Sequence, residues 1–112
     1  MKVILNILKS LSDETRLRII NLLYERELCV CDIIKTLKIR QTKASRHLSY
    51  LKNTGLVEDR KHAQWVYYSL IKDSNFKFID SLIFDNLRNL EQFKEDLKSL
   101  QEWVMKKDNT CD

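Results

Sequence analysis

Proline is absent from the 112 residues and glycine occurs once. Folds made of many short strands need such turn residues at close intervals, so a β-rich sandwich or barrel is excluded and a mostly helical chain is expected. Long apolar runs are missing as well, and none approaches the ~18 residues of a membrane span. In the N-terminal stretch MKVILNILKSLSDETR, Lys9 interrupts the apolar residues and no small-residue cleavage site follows, so no secretory leader is expected. Cysteine occurs three times, an odd number without a secretory signal, which reads as reduced thiols in a cytoplasmic protein rather than a disulfide framework. The length fits one domain, 1–112, whose modest core would gain from pairing with a second copy.

Charge is present but uneven. The net charge is +4, and residues 40–62 hold Arg40, Lys43, Arg46, Lys52, Arg60 and Lys61 against only Glu58 and Asp59, while the remainder balances. A basic patch on a neutral body suggests a polyanionic partner; the alternative is a solvated helix face.

Hydrophobic periodicity orders the chain. Val3, Ile4, Ile7, Leu8 and Leu11 predict a short amphipathic helix within residues 1–11. Ser12 and Asp13 suit the cap of a second helix with Leu17, Ile20, Leu23 and Tyr24 inward. In CVCDIIKTL, residues Val30, Ile33, Ile34 and Leu37 fall at i, i+3, i+4 and i+7 and predict a third helix of about two turns. Lys38, Ile39 and Arg40 form a short connection to QTKASRHLSYLKN, with Ala44, Leu48 and Leu51 inward, and Gly55 stands where a left-handed helix terminus needs it. LVEDR and QWVYYSL then alternate around KHA, which predicts a β-hairpin. From Phe76 to Val104 the helical period returns as one long helix or two consecutive ones. A helix-turn-helix at about residues 30–53 followed by a hairpin at 56–70 predicts a mostly α fold with a small β-hairpin wing, a winged helix-turn-helix.

Apolar side chains left over on residues 1–11 and 73–107, among them Phe84, Leu87, Phe93, Leu97 and Trp103, predict a homodimer unless they cover the domain's own core. A two-fold dimer would meet double-stranded DNA at half-sites about one helical turn apart. A recognition helix presents its N-terminal polar face to the major groove, which leaves Gln41, Thr42, Ser45 and Arg46 outward. Arg46 suits a bidentate contact with guanine and Gln41 one with adenine, whereas Lys43, Ser45 and His47 suit phosphates. At the hairpin tip, Arg60, Lys61, His62 and Gln64 are placed for the flanking minor groove or phosphates; taken alone, His47 and His62 are ordinary surface histidines.

The succession LSDETRLRIINLL, ELCVCDI, SRHLSYLKNTGLV, WVYYSL and a final helix resembles the ArsR/SmtB metal-responsive repressors over about residues 5–72, and ELCVCDI resembles their arsenic-sensing branch. The resemblance implies a homodimeric repressor that releases operator DNA when a metal or metalloid binds, with DNA contacts on the SRH segment. Four positions depart from the pattern. Ile34 stands where the arsenic sensors carry a third cysteine, residues 73–112 lack the histidine of the zinc-sensing branch, no cysteine precedes Cys29 as in the cadmium and lead sensors, and Ala63 replaces the usual wing glycine.

Cys29 and Cys31 are soft ligands that select soft ions; the resemblance implies As(III) or Sb(III) as inducer, with Cd(II), Pb(II) and Cu(I) as other soft candidates. Side chains at i and i+2 diverge on a regular helix, yet two thiolates sharing one ion must come within roughly 4 Å. Chelation therefore requires an unwound or distorted helix entrance, a strain delivered to the element that supports the recognition helix. The positive helix N-terminus favours thiolate; Asp32 opposes it with its own charge but suits the start of the helix. The competing reading makes both cysteines small buried apolar residues, which fits Cys31 poorly because it points off the stripe. A trivalent metalloid needs a third ligand: Cys111 in the polar tail KKDNTCD, water or a small thiol. The rival functions are a thiol-redox-responsive repressor using the same cysteines, a protein-docking winged helix, and an enzyme with a nucleophilic cysteine, for which neither histidine is an obvious base.

Overall fold

The computed structural model describes residues 1–107. The elements run α1 (Lys2–Leu11), α2 (Glu14–Glu25), β1 (Leu28–Cys29), α3 (Val30–Leu37), α4 (Gln41–Asn53), β2 (Val57–His62), β3 (Trp65–Leu70), α5 (Lys77–Ser81) and α6 (Glu91–Lys106). This is the winged helix-turn-helix that the periodicity predicts.

Local chemistry sets the boundaries. The Asp13 carboxylate accepts the Arg16 N–H at 3.0 Å and starts α2. α3 ends at Lys38, whose φ of 58° is left-handed, and only Ile39 and Arg40 separate it from α4. α4 closes in a Schellman motif: the N–H of Leu56 donates to the Leu51 carbonyl and that of Gly55 to Lys52, with Gly55 at φ 83°. Ile7, Ile19, Ile20, Leu22, Ile33, Leu48, Leu51 and Ile83 form the fully buried centre, contributed by α1 through α4 and the segment after the wing.

The sheet has three antiparallel strands in the order β1-β3-β2. β2 and β3 make the expected hairpin, with His62 opposite Trp65 and a tip at Ala63 and Gln64; Ala63 adopts φ 56°, a conformation costly for a residue with a Cβ. β1 is an addition to the expected pattern. It pairs Leu28 with Tyr68 and Cys29 with Tyr67, and two residues are too few to leave a visible alternation.

The C-terminal periodicity resolves into two helices. After α5 the backbone widens to a π turn over Leu82–Asn86, tightens to a 3₁₀ turn over Leu87–Asn89, and breaks at Leu90 (φ −82°, ψ 141°). Asn86 and Asn89 supply the reason: their side-chain amides donate to the carbonyls of Ser81 and Asp85 and compete with the helical ladder. Of the surplus apolar residues, Phe93 is buried, Leu87 and Leu97 pack on the chain's own core, and only Phe84 is exposed. Exposed apolar side chains lie on both terminal segments: Val3, Ile4, Leu5 and Leu8 on α1, and Phe78, Leu90 and Met105 beside Phe84 in the C-terminal one. Among the described residues no helix is long and apolar enough to cross a membrane.

Candidate DNA interface and thiol site

α4 buries Ala44, His47, Leu48 and Leu51, so its outer face carries the remaining residues of its first two turns. Gln41, Thr42, Lys43 and Arg46 are exposed there and Ser45 is half-buried. Lys61, His62 and Gln64 are exposed at the wing tip. Ion pairing sorts the basic residues of this region. Lys52 binds Asp59 at 3.1 Å and Arg60 binds Glu27 at 2.6 Å. Among the described residues Arg40, Lys43, Arg46 and Lys61 enter no ion pair. The unneutralised positive charge therefore concentrates at the start of α4 and the tip of the wing.

One expectation for this surface is corrected. His47 is 5% exposed and belongs to the inward face of α4, three residues after Ala44 and four before Leu51, so its ring is not available to phosphates. Its Nδ1 accepts from Arg16 at 3.3 Å, since a guanidinium only donates, and this places the proton on Nε2. Burial, together with Arg16, Arg46 and Lys43, outweighs the opposing charge of Asp13 and holds the His47 pKa below 6.5. Arg16 also lies 4.0 Å above the Tyr50 ring and donates to the Ser10 carbonyl, so one cation joins α1, α2 and α4. Arg60 is likewise occupied: it forms a two-point pair with Glu27, just before β1, and rests 5.1 Å from the Tyr67 ring. This pair links the wing to the residue before β1, while the Arg60 side chain itself stays exposed.

Cys29 is the N-cap of α3, with extended backbone (φ −86°, ψ 167°), and Cys31 lies in the first helical turn. Because Cys29 precedes the helical residues, the divergence of i and i+2 side chains within a regular helix does not govern this pair. Cys29 is buried and Cys31 half-buried, and among the described residues neither is held in a disulfide. Both line one hollow of about 450 Å³, with Val30, Ile34, Trp65 and Val66 as apolar walls and Lys35 and Gln41 as polar ones.

Asp32 fixes this entrance. It is 1% exposed, completes a capping box by accepting the Cys29 N–H at 3.0 Å, and takes hydrogen bonds from Trp103 Nε1 (2.8 Å) and Lys107 Nζ (2.7 Å). Burial alone would raise its pKa, but Lys107, Trp103 and Cys29 together hold it below 3.8. One carboxylate thus ties the thiol-bearing turn to the end of α6. Sequence reading credits Asp32 with its charge and with helping to start the helix, but not with its bonds to Trp103 and Lys107 on α6 and just beyond it. Trp103, expected on a dimer face, is committed to this bond, and nothing in the periodicity joins Trp65 or Gln41 to the cysteines.

Two sulfur donors in an apolar-walled hollow suit a soft, sulfur-seeking ligand and not a hard cation. Among the described residues no group of three or more His, Cys, Asp or Glu side chains is placed to hold a metal ion. Cys111, the expected third ligand, lies outside the described residues.

Comparison with known proteins bears on this site. Residues 13–59 match the family of bacterial regulatory proteins described as the arsR family. The arsenical resistance operon repressor of Escherichia coli is 51% identical over 67 residues, which are 59% of this chain and 57% of that repressor. The chain thus spans little more than half the length of that relative. The cadmium resistance regulatory protein CadC of Listeria innocua is 40% identical over 91 residues, covering 80% of this chain and 69% of its own. A homodimeric winged helix-turn-helix DNA-binding domain from Mycobacterium bovis superposes with a TM-score of 0.67 at 27% identity, over 80% of this chain and 86% of that one. With its capped cysteine turn, exposed recognition-helix face and wing, the chain belongs to the ArsR family of regulatory proteins, a family of transcriptional regulators rather than enzymes.

Proposed function

We propose that the chain is a transcriptional repressor that binds a two-fold operator as a homodimer and releases it when a soft ion, As(III) or Sb(III) foremost, binds Cys29 and Cys31. Arg46 and Gln41 read bases, while Thr42, Lys43, Ser45 and the tip residues Lys61, His62 and Gln64 position the protein on the duplex. The exposed apolar side chains of α1 supply the two-fold contact, supported by the homodimeric neighbour of the same fold. The names of the E. coli and Listeria relatives favour arsenical and cadmium inducers.

One observation carries the switch: Cys29 is both the N-cap of α3 and a strand partner of Tyr67 in the wing. Drawing its sulfur toward Cys31 displaces a residue shared by the helix that supports α4 and by the sheet that carries the wing. Both DNA-facing elements then shift together. Coupling of this kind is typically worth roughly 1–3 kcal/mol, so operator affinity should fall about 5–150-fold on ligation, and operator should weaken ligand binding by the same factor. Titrating operator-bound protein with arsenite, antimonite, cadmium, lead and copper(I) under reducing conditions tests this. Release by none of them, with release by diamide, would make the same thiols a redox sensor instead.

A further inference from the structure

The hollow beside the cysteines narrows the chemistry of the inducer, on the reading that these two thiols form the sensor. Trivalent arsenic makes three bonds. The described residues bring two thiols to the hollow and no cluster of three donors, and Ile34, one turn beyond Val30, occupies its wall. Inorganic arsenite on two thiolates keeps one As–OH. Directed among Val30, Ile34, Trp65 and Val66, on the side of the hollow away from its polar residues Lys35 and Gln41, that hydroxyl loses its hydration, a cost that an apolar group does not incur.

We propose that the preferred effector is a monosubstituted trivalent arsenical, R–As(OH)₂, with R an apolar methyl or aryl group. Two As–S bonds form to Cys29 and Cys31, two As–O bonds break, and each thiol proton leaves with a hydroxyl as water. The As–C bond persists and no electrons are exchanged. The arsenic is then fully coordinated by the two thiolates and its own carbon, and R fills the apolar part of the hollow. At about 450 Å³ the hollow is in the size range of small-ligand sites and holds one aromatic ring readily. Gln41 opens the recognition helix and Trp65 opens β3, so R touches both elements that face DNA. The substituent therefore acts on release as well as on affinity.

Phenylarsine oxide, methylarsonous acid and arsenite should be titrated under identical reducing conditions, following tryptophan emission and operator anisotropy. Phenylarsine oxide is expected to release operator at a concentration about ten-fold or more below that of arsenite, the discrimination an apolar pocket gives, and to quench emission that is lost in Trp65→Phe. Val66→Thr places a hydroxyl in the wall and should reduce the phenyl-over-arsenite preference several-fold; Ile34→Cys supplies a third thiol and should invert it. Arsenite acting at equal or lower concentration than phenylarsine oxide overturns the inference while leaving the two-thiol sensor intact, as does a preference unmoved by Val66→Thr. Weaker arsenite release in Cys111→Ser would also overturn it, by showing a third thiol. Release that survives Cys29→Ser together with Cys31→Ser instead overturns the sensor on which the inference rests.

Discussion

Replacing Asp32 with asparagine should destabilise the protein out of proportion to the one-atom change. In a site where it is 1% exposed, the carboxylate receives the Cys29 N–H, the Trp103 indole N–H and the Lys107 ammonium, with the Cys29 thiol as a further partner. Asparagine keeps one acceptor oxygen and turns an NH₂ toward a donor, leaving at least one N–H unsatisfied, at about 1–3 kcal/mol. The lost ion pair adds less than the ~3–5 kcal/mol of a fully buried one, because the Lys107 side chain is 23% exposed and water recovers part of its solvation. The sum is about 2–3 kcal/mol, a large share of the ~5–15 kcal/mol that holds a domain together. Trp103→Phe removes one hydrogen bond to a charged acceptor and should cost about 1.5–3 kcal/mol. Because both changes act on the same carboxylate, the double variant should cost less than the sum of the two. Urea unfolding followed by circular dichroism at fixed protein concentration reads all three quantities. An Asp32→Asn cost below about 0.5 kcal/mol, the scatter of ordinary surface changes, would refute the claim that this carboxylate fastens the thiol turn to α6.

Three further expectations concern the DNA face. Because the His47 pKa is depressed when folded, the unfolded chain takes up its proton first as pH falls below about 6.5; stability is full above that value and declines as pH drops toward the folded pKa. Urea unfolding at about pH 7.5 and about pH 5.5 should show this loss, and His47→Gln should reduce it. Arg46→Ala should weaken operator binding by about 1–3 kcal/mol and relax one base position, whereas Lys61→Ala should weaken all sequences alike and flatten the salt dependence by about one unit; competition between operator and random DNA separates the two. Ala63→Gly relieves the left-handed tip at φ 56° and should raise stability by about 0.5–1 kcal/mol after the added chain entropy of glycine, read as the urea midpoint.

The helix-turn-helix was legible because burial in α4 follows the helical period, and the wing because runs rich in valine, tyrosine and tryptophan flank a polar turn. Ala44, Leu48 and Leu51 mark the inward face of α4, and Val57 and Leu70 bound the hairpin. His47 was misplaced although it falls on that inward face, because a polar residue between Arg46 and Leu48 reads as solvent-facing until Arg16 and Asp13 arrive from α2 to receive it. β1 left no trace, since two residues cannot show a period and its pairing with β3 is a long-range fact. The break at Leu90 was hidden for the opposite reason: apolar spacing continues through it, while Asn86 and Asn89 redirect the backbone locally. At the thiol site the cysteines could be read from the sequence, but the hollow could not, because its walls come from α3, α4 and β3.

The central claim is that Cys29 and Cys31 control operator affinity, and operator release by the Cys29→Ser, Cys31→Ser double variant tests it most directly. With fluorescently labelled operator under reducing conditions, wild type should release on addition of arsenite or phenylarsine oxide, its affinity falling by roughly 5–150-fold. The double variant should bind operator with nearly the wild-type affinity and fail to release. Undiminished release by the double variant would contradict the account and leave the two cysteines as components of the fold alone.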